Sequence, residues 1–310
     1  MISRRNIRVK VMQTLYSIEA REHTQKPGEE TRILQKHFDS TRQLFVYLIH
    51  FITEIARYAE TDSRVRASKH LPTNQDMNVN IRLAGNEVLW KILEDASFQK
   101  ALAIDKPHLI INNELVKKIY QELTATEEYK KYINGEAREK KSEKDILEFI
   151  FTDLMLPNDL FESYTEEHFT NWDDDIEMLN QFMLAYLSKP QSINFQDMLG
   201  KEKWDFARLL LQTVLEKKET TMELIKPKLN NWDAERIATL DMILMEMGVC
   251  EFLYFETIPP KVTINEYIDL AKEYSTEQSG HFVNGILDNI HKELVKDNKM
   301  HKVNFKGAKS

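Results

Sequence analysis

Glycine and proline are scarce in this chain, 8 of each in 310 residues. Tight turns and strand ends draw on these two residues, so a chain poor in both is confined to long segments with few sharp reversals. Glu, Lys, Leu, Ile and Met are plentiful and favour helices, so the expected fold class is all-α. Hydrophobic residues make up 42% of the sequence, enough to bury a core in one large or two smaller helical bodies. The single cysteine, Cys250, has no partner for an internal disulfide and lies in the apolar run from Met247 to Leu253, where it reads as a buried thiol.

No apolar stretch follows the charged start from Met1 to Arg5, and nowhere do about 18 apolar residues run together. A cytoplasmic location without membrane contact is expected. The net charge of −8 argues against a nonspecific polyanion binder, which needs positive potential over much of its surface. Any nucleic-acid contact must therefore be local.

Periodicity lays out the helices. Ile7, Val11, Met12, Leu15 and Ile18 fall on one face of a first helix over residues 4–20. Its first turns carry Arg4, Arg5, Arg8 and Lys10, with no acid before Glu19. Positive charge there opposes the helix dipole. The cluster reads either as a solvated face or as a phosphate-binding one, with Tyr16 two turns further along to stack on a base. Leu34, Phe38, Leu44, Phe45, Leu48, Phe51, Ile52, Ile55 and Tyr58 stripe a helix over 33–66. A loop is expected at 71–78, then helical patterns at 81–102, 113–133, 145–156 and 174–188, with a charged, apolar-poor and flexible run at 130–144. Further helices are expected over 204–218, over 221–232 with a break at Pro227, and from Ile237 to Val249 with Asn231 or Asp233 as cap. Thr263 and Glu266 have the spacing of a capping box opening a helix to Tyr274. A polar turn at 275–280 precedes a final helix with Phe282, Val283, Ile286, Leu287 and Ile290 on one face. Gly285 reads as the point where that helix approaches a neighbour, and Asn265 and Asn284 as makers of structural hydrogen bonds. No internal repeat is present.

Chemistry-bearing motifs are absent. The glycines are isolated, so there is no phosphate-binding or dinucleotide loop and no nucleophile elbow. The nine histidines form no pair that would put two imidazoles on one helical face, so no metal site and no cofactor are expected. Asp173, Asp174 and Asp175 with Glu177 lack the Gly and alternating oxygens of a calcium loop and read as acids at a helix N-terminus.

One string stands out. Pro259, Lys261, Val262, Ile264, Asn265, Glu266, Ile268, Leu270, Ala271 and Lys272, followed by Ser279, Phe282, Val283, Asn284, Gly285, Leu287 and Asp288, closely resemble the signature of the NusB family of bacterial transcription antitermination factors. The stretch from Arg4 to Ser17 looks like that family's Arg-rich first helix. Phe206 to Pro227 and Arg236 to Glu251 look like its central helices. The resemblance divides the chain into a first helix at 1–20, a helical insertion at 21–201, a family-like core at 202–294 and a Lys-rich tail at 295–310. It implies two packed three-helix bundles and a factor that is not an enzyme. It further implies binding of the boxA element of ribosomal RNA transcripts together with NusE, a ribosomal small-subunit protein, in an RNA polymerase antitermination complex, and leaves homodimerisation open. Carried over position by position, Arg4, Arg5, Arg8, Tyr16, Lys228, Gln278, His281 and Phe282 are the expected RNA contacts, and Glu235 and Asp241 the expected face for the protein partner. Lys228 stands where the family can have an aromatic, and Gln278 where it often has an acid; both changes make the surface less negative. Two other classes compete. An RNA cytosine methyltransferase with a domain of this kind would need a Gly-rich α/β domain and a catalytic cysteine, and is rejected. A helical interaction scaffold that kept the fold and lost the RNA is the remaining alternative.

Overall fold

A computed structural model of the chain describes residues 2–20, 26–229 and 237–303. Among them there is no strand, and no helix is long and apolar enough to cross a membrane. The helices are α1 (Arg4–Glu19), α2 (Glu29–Ala67), α3 (Asn74–Met77), α4 (Glu87–Leu93), α5 (Ala96–Asp105), α6 (Asn113–Ala125), α7 (Glu127–Asn134), α8 (Lys140–Phe149), α9 (Asp159–His168), α10 (Trp172–Ser188), α11 (Lys201–Glu216), α12 (Lys218–Ile225), α13 (Thr239–Tyr254), α14 (Pro260–Tyr274) and α15 (Glu277–Lys296). They fall into two compact units: Asp39–Met198, and Ile2–Phe38 together with Leu199–Ser310.

In the first unit the expected apolar stripe of α2 widens into burial on nearly every side, with every residue from Leu44 to Ile49 buried. Around it, Tyr47, Phe51, Phe161, Phe169 and Trp172 meet ring against ring, 4.9–6.5 Å between centroids. The acids that open α10 divide by role. Asp175 is buried and accepts from Thr41 Oγ1 at 2.7 Å and Asn171 Nδ2 at 2.6 Å, while Asp173 is exposed in the same first turn.

Several expected long helices are broken by side chains that cap from within. Asn86 accepts from the amides of Val88 and Leu89, and Asp95 from that of Ser97, so 81–102 becomes a turn followed by α4 and α5. Thr126 accepts from the Tyr129 amide and splits α6 from α7. The charged run at 130–144 is largely helical, taken up by α7 and α8. Its Glu143 is wholly buried, accepting from the Glu87 amide at 2.8 Å and the Tyr132 hydroxyl at 3.1 Å. The π-helix Ile150–Met155 prolongs α8. One turn of helix, α3, lies inside the loop expected at 71–78.

The second unit is organised by α13. From Ile243 to Phe252 every residue is buried, Cys250 included, so this stretch of the helix is enclosed on all sides. The two three-helix groups share it: α1, α11 and α13 pack together, as do α13, α14 and α15, with α12 lying against α13 and α15. Gly248 makes the enclosure possible, because a Cβ there would stand 2.9 Å from both terminal methyls of Leu287. Gly285, expected to be the point of close approach, is exposed with nothing within 4 Å of an added Cβ. Asn265 and Asn284 are exposed as well, which removes the hydrogen-bonding role expected for them. The capping-box expectation is also corrected. Pro260 occupies the first turn of α14, and Thr263, one turn inside, donates to Glu251 Oε2 at 2.9 Å. The polar turn shrinks to Ser275 and Thr276, since Thr276 caps α15 by accepting from the Ser279 amide. Beyond α15, Lys302 Nζ donates to the carbonyls of Glu251 and Phe255 at 2.7 and 2.8 Å, closing the open end of α13. The expected caps Asn231 and Asp233 lie outside the described residues.

Candidate nucleic-acid interface

Ser3 starts α1 by accepting from the Asn6 amide, and the four basic residues that follow meet different fates. Arg8 is 2% exposed. Its Nε and Nη2 donate to the two oxygens of Glu251 at 2.7 and 3.1 Å, and its Nη1 to Glu266 at 3.4 Å. Thr263 and Tyr267 hydroxyls complete the shell of Glu251, each at 2.9 Å. Burial alone would make Arg8 easier to deprotonate; the charges of Tyr267, Glu251 and Glu266 and the Glu251 hydrogen bond outweigh it and hold the guanidinium above its ordinary range. Burial, with Glu251 adding to it, raises the Tyr267 phenol too. Arg8 therefore ties α1 to α13 and α14 and offers no surface to a ligand, which corrects its expected role as an RNA contact. Lys10 is buried as well.

Arg4 and Arg5 stay at the surface. The Arg4 guanidinium lies 5.3 Å above the Phe206 ring of α11 and 3.8 Å from the exposed Glu202. Arg5 Nη2 donates to Glu273 Oε2, in the last turn of α14, at 2.6 Å. That bond brings the start of the chain to the α14–α15 junction, four residues before Glu277 opens α15. Gln278 and His281 are exposed there and Phe282 is half-buried. Tyr16 is 49% exposed, further along α1 from Arg5. Lys228 is set apart: it pairs with Glu293, fifteen residues along α15 from Gln278, or about 22 Å at helical rise.

Asp241, expected to face a protein partner, is 6% exposed and accepts from Ser279 Oγ at 2.8 Å, pinning α13 to the start of α15. This too is a correction, with the enclosure of α13 as its reason. Glu235 lies outside the described residues. Sequence reasoning passed over Glu251, Glu273 and the Phe206 ring under Arg4. Only Glu251 carried a signal, as an acid inside an apolar run that demands a buried partner. Among the described residues no group of His, Cys, Asp and Glu could hold a metal ion.

Charge separates between the two units. Residues 39–198 hold 18 Lys and Arg against 28 Asp and Glu, a formal −10, so the remaining residues carry +2 of the chain's −8. The acidic excess therefore lies in the unit that does not hold α1.

Comparison with known proteins gives three findings. The family model described as NusB family matches residues 166–292, from the end of α9 through α10 to α15. The span leaves out α1, so the likeness of the arginine-rich helix rests on its own residues. Proteins named transcription antitermination protein NusB are similar to part of the chain. The one from Methylacidiphilum infernorum is 37% identical over 127 residues, 38% of this chain and 87% of the relative. The one from Finegoldia magna is 36% identical over 120 residues, 39% of this chain and 80% of the relative. For Salinibacter ruber the figures are 42% over 98 residues, 32% and 61%. No solved structure matches the chain.

Proposed function

The chain belongs to the NusB family, and from that premise we propose that it binds boxA-type single-stranded RNA of ribosomal transcripts together with the ribosomal protein NusE, within an RNA polymerase antitermination complex in the cytoplasm. The family is one of non-enzymatic transcription antitermination factors. The observation that carries the reading is the bond from Arg5 to Glu273, because it joins two ends of the sequence that an RNA strand must touch together. On this reading Arg4 and Arg5 hold the backbone, Tyr16 and Phe282 stack on bases, Gln278 and His281 meet base edges, Lys228 lies at the far edge, and Glu235 faces the protein partner. Single strands suit such a mixture, since cations fix the phosphates while aromatic faces take the splayed bases. The charge balance supports the reading, since this unit is formally +2 while residues 39–198, at −10, are unsuited to RNA.

The test is fluorescence anisotropy with a boxA oligonucleotide and a scrambled one, with and without NusE. Tighter binding of boxA, strengthened by NusE, is the expected outcome. Replacing Arg4 and Arg5 by Gln should weaken binding and flatten the salt dependence by about 0.7 per lost phosphate contact. Equal affinity for both oligonucleotides at physiological salt overturns the proposal and leaves the interaction scaffold.

A further inference from the structure

The first turn of α1 and the last turn of α14 each carry a charge of the wrong sign for their own helix end. Arg4 and Arg5 sit where the dipole is positive and no acid is present, and Glu273 sits where it is negative. Neither placement serves its own helix, yet Arg5 and Glu273 answer each other at 2.6 Å across the junction, 36% and 51% exposed. The other arginines are held differently. Arg8 is enclosed by Glu251, and Arg4 meets Glu202 only at 3.8 Å with that carboxylate 90% exposed. Of the two surface arginines, Arg5 alone has its guanidinium closely held by a carboxylate.

We propose that Glu273 is a built-in competitor for the RNA backbone. Its carboxylate occupies the guanidinium that a phosphate has to take, so RNA binds there by exchanging one anion for another. The consequence is selectivity: a strand whose phosphate does not arrive in register gains nothing at Arg5, because it gives up an ion pair that was already made. Glu273 is thus a specificity-setting residue that acts through Arg5. The proposal rests on the RNA reading above.

A double-mutant cycle tests it, with the full chain, NusE and a boxA oligonucleotide, and with helicity checked by circular dichroism. Glu273→Gln should tighten binding about two- to fivefold, the range of a surface ion pair, and the gain should shrink as salt rises. On the Arg5→Gln background the same substitution should change nothing. Glu277→Gln is the control, because Glu277, four residues on, is exposed and has no ion pair among the described residues; its effect should be the same on both backgrounds. A Glu273→Gln gain that is equal on both backgrounds, or absent on both, overturns the competitor and leaves the RNA reading standing. Failure of every variant to bind RNA overturns both.

Discussion

An acid inside an apolar run has to be answered by a cation, and Glu251 is answered by Arg8 from 243 residues away. With Thr263, Tyr267 and Glu266 the pair forms a closed polar centre where α1, α13 and α14 meet. Such a centre contributes little net stability when intact, because two charges have been taken from water, but it is costly to break. Arg8→Met should therefore lower the unfolding free energy by about 3–5 kcal/mol in urea titration, since Glu251 is left charged and enclosed. Arg8→Met with Glu251→Met should recover most of that loss. A single variant within 1 kcal/mol of the parent would show that the pair has water access. At this scale the sequence was partly legible: a demand for a partner was visible at Glu251, and four basic residues were visible in α1. Which of the four answered was not, because nothing local distinguishes Arg8 from Arg5 until both meet α13 and α14.

Among the elements, α13 and α15 show how a glycine acquires meaning from its neighbour. Gly248→Ala drives a methyl against Leu287 and should cost about 1–3 kcal/mol of stability. Gly285→Ala, mid-helix and open to solvent, should add about 0.5–1 kcal/mol, because it removes backbone freedom from the unfolded chain without meeting an obstacle. Chemical denaturation of the two variants side by side checks both signs; a neutral Gly248→Ala would mean that the Leu287 side chain yields. The order of helices was readable from periodicity, since an apolar face needs only sequence spacing. The internal breaks were not. Asn86, Asp95 and Thr126 sit in helical patterns and could equally have pointed outward. Thr263 has the spacing of a cap, yet Pro260 opens the helix a turn earlier, and from inside that turn the Thr263 hydroxyl donates to Glu251.

For the molecule as a whole, stability should depend on pH through Glu246. Its carboxyl is 4% exposed, and burial pushes its pKa up to about 7, with Lys218 opposing and Glu19 adding to the shift. The unfolded chain releases this proton near 4.5, the folded one near 7. The folded state thus holds a proton that the unfolded state has lost, and stability falls as pH rises between those values, then levels off. The fall attributable to this group is on the order of 3 kcal/mol at most. Glu246→Gln should abolish it, making the variant more stable than the parent at pH 8 and no more stable at pH 4; parallel pH profiles in urea denaturation would rule the effect out.

The distance along the chain between Arg8 and Glu251 also sets a schedule. At a synthesis rate of about 5–20 residues per second, the partner of Arg8 is made roughly 12–50 seconds after it. Asp39–Met198 is contiguous and is complete before α11 has begun. During that interval α1 has an apolar face and a cation with no enclosure to enter, so the first helix to be synthesised is among the last to be buried.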